Sequence, residues 1–140
     1  MTVITTMKQR RNEKQRRFER RILRDLTLPY LRKRVRSTFF PYVPLYNAFE
    51  EYCMEVAIEA YLLGGKYSKF GYLGESYIDV KHRSQLEEQR LADSLFDFLT
   101  FSPNQIPEHD ALYDVCQAYI SFWWKEGFDK GERSYKLRLP

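Results

Sequence analysis

Between Leu45 and Leu63 the chain repeats apolar residues at helical spacing. Leu45, Phe49, Tyr52, Cys53, Val56, Ala60 and Leu63 form one stripe, and Met54, Ile58, Tyr61 and Leu62 occupy the far side. A helix that is apolar almost all round belongs inside a bundle, not on a surface. This constraint sets the expected fold class: an all-α, single-domain bundle of about five helices spanning residues 1–140 and built around this helix. A globular chain of this size buries about 68% of the surface it exposes when unfolded, so a core is available without disulfides or metals.

The flanking segments can be read against that central helix. From Lys8 to Arg24 there is no Gly or Pro and no β-branched residue before Ile22, so a helix is expected. Its apolar residues, Phe18, Ile22, Leu23 and Leu26, all lie in the second half, which leaves residues 8–17 to project into solvent or onto a charged partner. Pro29 suits an early helical position, with Thr27 or Leu28 as cap, and a short helix with Leu31 and Val35 inward should run to about Ser37. Phe39 to Pro44 contains two prolines and reads as an apolar connector. After the central helix, Gly64-Gly65 reads as a left-handed stop, and residues 66–77 as an ordered Gly/aromatic loop.

Ser76 with Asp79, or Ser84 with Glu87, can cap the next helix, which should end near Leu99 with Leu91, Leu95, Phe98 and Leu99 buried. Ser102-Pro103-Asn104 and Pro107 break the chain before a last helix from about Glu108 to Trp124, with Gly127 ending it. Its stripe is Leu112, Val115, Cys116, Tyr119 and Trp123. Adjacent helical positions point about 100° apart, so Trp123 is expected inside and Trp124 on the connector, the tail or an interaction patch. The tail, with Tyr135, Leu137 and Leu139 alternating with Lys136 and Arg138, reads as an extended strip or a frayed end.

Charge divides the chain unequally. Residues 1–40 carry thirteen Lys/Arg against three Asp/Glu, and residues 41–140 carry ten against sixteen, so a +10 arm joins a −6 helical body. Such an arm seeks phosphate, anionic lipid or an acidic protein surface. Its candidate contact residues are Lys8, Arg10, Arg11, Lys14, Arg16, Arg17, Arg20, Arg21 and Arg24. Residues 8–17 lack the apolar face of an interfacial membrane helix. No base-reading motif is present, so nucleic-acid binding would be non-specific, whether to RNA or DNA. No apolar run reaches the length of a membrane span, no secretory h-region follows the first basic residues, and a cytoplasmic location is the default expectation.

Signals for chemistry are weak. Glu59 falls inside the apolar stripe, between Ala48 and Tyr52 on a helical wheel, and a carboxylate there needs a partner: a structural ion pair or a Tyr/Trp hydrogen bond, or else a role as general acid/base or ligand-binding carboxylate beside the Gly-rich loop. With Tyr67, Phe70, Tyr72 and Trp124 it defines a candidate pocket. The loop fails the phosphate-binding patterns, since Tyr67 follows Lys66 and Ala60 occupies the earlier glycine position. Asp79 and His82 share a helix face, but the repeat of that unit needed for a di-metal site is missing, and His109 stands alone. Cys53 and Cys116 lie on apolar faces and read as reduced core thiols. No catalytic residue, metal or cofactor is assigned.

The run Ala57-Ile58-Glu59-Ala60-Tyr61-Leu62-Leu63-Gly64-Gly65, then Phe70-Gly71-Tyr72 and Gly74-Glu75-Ser76, then Trp123-Trp124 and Lys136-Leu137-Arg138, resembles the YbaK-type family of unknown function from spore-forming bacilli. That family is distinct from the aminoacyl-tRNA deacylase of the same name. The resemblance covers nearly the whole chain, implies a cytoplasmic bacterial protein, and brings no activity, cofactor or catalytic residue with it. The expectation is therefore a non-enzymatic binding or regulatory protein whose basic N-terminal helix engages an acidic protein surface. Nucleic acid is the alternative partner, and a small-molecule site or enzyme using Glu59 and the aromatic loop is the third reading.

Overall fold

Five helices in order, α1 (Val3–Leu23), α2 (Leu28–Phe39), α3 (Asn47–Tyr72), α4 (Tyr77–Thr100) and α5 (His109–Leu137), pack as one bundle in the computed structural model. It describes residues 3–40, 42, 47–101 and 109–137, with side chains omitted at 3–6, 47, 109 and 110. No strand occurs among the described residues. Leu45, residues 41, 43 and 44 of the connector, the 102–107 break and the tail beyond Leu137 lie outside them.

The local signals behave as expected at two helix starts. Thr27 Oγ1 accepts from the Tyr30 backbone N–H at 3.4 Å with Pro29 in the first turn of α2, and Ser76 Oγ accepts from the Asp79 N–H at 3.2 Å to begin α4. Each relieves an orphan donor that a helix start otherwise leaves unpaired.

The glycines correct the sequence reading. α3 does not stop at Gly64-Gly65 but continues through both to Tyr72, so most of the expected loop is helix. The true stop is Gly74, the only described residue with positive φ, at 106°. Its N–H bonds to Gly71 O at 3.1 Å and the Glu75 N–H to Phe70 O at 3.0 Å, the Schellman arrangement that closes a helix. Gly127 likewise does not end α5, which runs on to Leu137 and makes helix of the expected strip.

Gly64 and Gly127 serve contact between α3 and α5. A Cβ on Gly64 would overlap the Trp124 carbonyl and lie 2.9 Å from the Phe128 nitrogen. A Cβ on Gly127 would overlap the Tyr61 carbonyl and lie 2.9 Å from the Tyr61 Cα. Gly131 stands against Ser68, whose hydroxyl donates to the Gly65 carbonyl at 2.5 Å. The two longest helices therefore touch backbone to backbone.

Large side chains are displaced to either side of this seam, and two apolar clusters result. The larger holds Ile22, Leu31, Val35, Phe39, Cys53, Ala57, Leu95, Leu99, Leu112, Cys116, Ile120 and Trp123. The smaller gathers Val80, Trp124 and Phe128. Both indoles are fully buried, against the expectation that only Trp123 would be. The angle of about 100° between them sends one into each cluster. Trp124 Nε1 donates to Ser84 Oγ at 2.7 Å, and the Trp124 ring stacks on Phe128 with centroids 5.1 Å apart.

Replacing Gly127→Ala should lower stability by about 2 kcal/mol, because overpacking costs about 1–3 kcal/mol and outweighs the gain of about 1 kcal/mol in helix propensity. Urea unfolding followed by far-UV circular dichroism checks it. A stabilised variant would mean the helices do not meet here.

Candidate functional site

α1 behaves as two pieces with one helical backbone. Phe18 and Ile22 are buried, whereas every residue from 7 to 17 is exposed. The buried piece is held at three points. Phe18 stacks on Tyr135 at 5.0 Å, and Tyr135 stacks on Tyr72 at 5.4 Å, so three rings from α1, α5 and α3 form a column. Ile22 lies over Gly65, filling the space a side chain there would take. Tyr61 Oη donates to the Ile22 carbonyl at 2.6 Å, satisfying an acceptor that the end of α1 leaves without a helical partner. Beyond the helix, Asp25 pairs with Lys130, and the neighbouring ammonium holds the Asp25 carboxyl below its ordinary range by hydrogen bond and charge.

Ascending from Ile22 to Phe18, α1 moves from Tyr61 and Gly65 toward Tyr72 and Tyr135. It thus leaves the bundle past the C-terminal ends of α3 and α5. Residues 7–17, about 16 Å of helix at 1.5 Å per residue, bear Lys8, Arg10, Arg11, Lys14, Arg16 and Arg17 against Glu13 alone. Among the described residues only Arg17 of these has an ion-pair partner, Glu13 at 3.8 Å in the open, a geometry worth little in water. Arg20 and Arg24 are exposed, while half-buried Arg21 donates to Ser134 Oγ at 3.4 Å and helps the anchor.

The basic residues of α2 have a different fate. Arg32 Nε lies 2.8 Å from Glu50 Oε1, and Arg36 Nε lies 3.3 Å from Glu50 Oε2. Arg34 sits over the Phe122 ring at 3.8 Å. Arg32, Arg34 and Arg36, though exposed, thus each have a partner on the bundle surface, and the charge without one concentrates on α1.

Glu59 is corrected by the same comparison. It is exposed, and the nearly buried carboxylate of α3 is Glu50, at 9% exposure. The inward face of α3 runs through Glu50, Cys53, Ala57, Tyr61, Gly64 and Ser68, rotated from the stripe that apolarity alone suggests. Tyr52 and Leu63, half-buried at the rim, draw the apolar stripe toward Glu59.

The other members of the candidate pocket disperse. Tyr67 donates to Glu87 in a short hydrogen bond, Arg83 covers the Phe70 ring at 4.6 Å while chelating Glu75, Tyr72 belongs to the three-ring column, and Trp124 has no accessible surface. A groove of about 480 Å³ does exist between α4 and α5, lined by Tyr77, Lys81, His82, Glu88, Gln117 and Ser121 among others, and none of the five candidate residues contributes to it. Asp79 and His82 are both exposed, and the His109 side chain lies outside the described residues. Among those residues no three His, Cys, Asp or Glu converge as metal ligands. None of the described helices is long and apolar enough to cross a membrane.

Proton affinities follow burial. Cys53 and Cys116, both free thiols, are pushed up to about 12 chiefly by burial. The hydrogen bond to Glu87, followed by burial, raises Tyr67 to about 12. Burial raises Tyr61 to about 12 and Tyr119, whose hydroxyl donates to the Cys53 carbonyl at 2.7 Å, higher still.

Two outcomes are expected. Tyr61→Phe should cost about 1 kcal/mol, the net worth of one buried hydrogen bond, and raise amide exchange in residues 18–26 more than in α4. Uniform change across both would refute the anchoring role. Because folding makes these thiols and phenols hold their protons more tightly, their contribution is complete below the unfolded values of about 8.5 for Cys and about 10 for Tyr. It is lost as pH rises toward 12. The urea midpoint should therefore fall steadily above about pH 9.

A family model described as protein of unknown function, DUF2521, matches residues 1–140. The uncharacterized protein YbaK of Bacillus subtilis strain 168 is 31% identical over 135 residues, which cover 87% of this chain and 88% of that protein. No solved structure matches. The resemblance carried by residues 57–65, the 70–76 glycines, Trp123-Trp124 and residues 136–138 is thus a family relationship.

Proposed function

We propose, for a chain that belongs to the DUF2521 family of proteins of unknown function, that it is a binding protein rather than an enzyme, and that residues 7–17 of α1 engage an acidic protein surface. One observation carries this reading: a helix exposed on every face, with six basic residues and a single exposed ion pair. A segment without buried contacts adds nothing to the core, and a lone helix of this length is marginal in water. Its continuity with a firmly held base lets it persist as a helix and present its charges at fixed spacing.

A protein surface fits better than a duplex. The basic residues spread around most of the helix instead of lining the one side that would face a groove. The enzyme reading loses its support with Glu59 exposed and the aromatic residues separately engaged.

The test is capture from a Bacillus lysate on immobilised full-length protein, compared with a variant carrying Lys8→Gln, Arg10→Gln, Arg11→Gln, Lys14→Gln, Arg16→Gln and Arg17→Gln. Acidic proteins retained by the first alone, after nuclease treatment, and released at about 300 mM salt are expected, since screening shortens the reach of exposed charge. Capture abolished by nuclease would transfer the function to nucleic acid. Equal capture by both proteins would overturn the role of the arm.

A further inference from the structure

We infer that the acidic surface engaged by α1 includes one on a second copy of this chain: the outer face of α3 formed by Glu51, Glu55 and Glu59. This inference rests on the reading of α1 given above and names its partner. The three glutamates are exposed. They recur at i, i+4 and i+8, which places their carboxylates on one face of the helix about 6 Å apart per step. No described residue forms an ion pair with any of them. Like charges at this spacing repel along a helix, so the stripe is unfavourable to the isolated chain and gains from a cation supplied from outside. Burial first, and then the charges of Glu59 and Glu55 with Asp97 of α4, raise the proton affinity of the half-buried Tyr52, which lies beside this face.

The arm offers the matching pattern. Arg10, Lys14 and Arg17 lie at i, i+4 and i+7, one stripe of α1 with steps of about 6 and 4.5 Å. All three are exposed. Two helices laid side by side can therefore bring three opposite pairs into register. Because this is a pairing of repeated spacings and not only of net charge, it selects a helix as the partner of a helix.

The topology forbids the same contact within one molecule. α1 leaves the bundle past Tyr72 and Tyr135, whereas Glu51 to Glu59 occupy the first half of α3, toward the opposite end. The arm of one copy must reach the α3 face of another. Such a contact is head-to-tail, with different surfaces on the two sides, and it propagates unless a ring closes. Exposed pairs of this kind are individually weak and salt-sensitive.

Sedimentation of the full chain tests this directly. Average mass should rise with concentration at about 50 mM salt and return to the monomer at about 300 mM. The arm variant described above should be monomeric throughout, as should a variant with Glu51→Gln, Glu55→Gln and Glu59→Gln, with unchanged circular dichroism in each. Mixing the two variants supplies one intact arm and one intact α3 face, so the mixture should recover a one-to-one pair and nothing larger. A wild-type monomer at all concentrations in low salt, or a mixture that fails to pair, would overturn the inference. If lysate capture still depends on the arm in that case, the general reading of α1 stands and only self-association falls. If capture fails too, both fall.

Discussion

The arrangement depends on the close approach of α3 and α5. Gly64 faces the Trp124 carbonyl, Gly127 faces the Tyr61 carbonyl, and Gly131 faces Ser68. Gly64 and Gly127 make room for the other helix's main chain and Gly131 for the Ser68 side chain, so neither side of the seam is free to change alone. Glycine in a helix interior costs about 1 kcal/mol relative to alanine, and these positions accept that cost because close-packed interiors reward contact along the full length of two helices. With the backbones in contact, the bulky residues beside each glycine must turn outward, which is why Trp123 and Trp124 end in separate clusters.

From that seam the rest follows in layers. α4 lies against the Trp124 side, where Val80 and Ser84 meet the indole. α1 and α2 lie against the Tyr61 and Trp123 side, where Tyr30 meets Trp123 edge-on at 5.5 Å. Tyr61 connects the two levels. Its backbone carbonyl lies against Gly127, and its hydroxyl, at the far end of the same residue, terminates α1. Tyr61 thereby joins the Phe18 column and the Ile22–Gly65 contact in tying the basic helix to the α3–α5 crossing.

What was legible in the chain was local. Thr27 with Pro29 and Ser76 ahead of Asp79 announce helix starts because a capping hydroxyl and its N–H are neighbours in sequence. The helix count, the burial of Phe18 and Ile22, and the apolar face of α5 follow from spacing alone. Glycine is ambiguous at that level. Gly74 is present for its left-handed backbone, and Gly64, Gly65 and Gly127 for the side chain they lack, yet both uses look alike until the partner helix is known. The same limit exchanged Glu59 for Glu50. Which rim of an almost wholly apolar helix turns inward is decided by the seat of Tyr61 and Gly64 against α5, and α5 is distant in sequence. Trp124 was misread because a wheel assumes one core, whereas α5 serves two.

The column of Phe18, Tyr135 and Tyr72 has a consequence for association. A flexible basic tail would lose conformational freedom on meeting a partner, and that loss subtracts from its affinity. Here folding has already fixed the direction of the rod, and ordering it on contact costs correspondingly less. In the binding role proposed for it, such an arm would discriminate between surfaces with weak, solvent-screened charges, because rigidity turns a modest attraction into a requirement of shape.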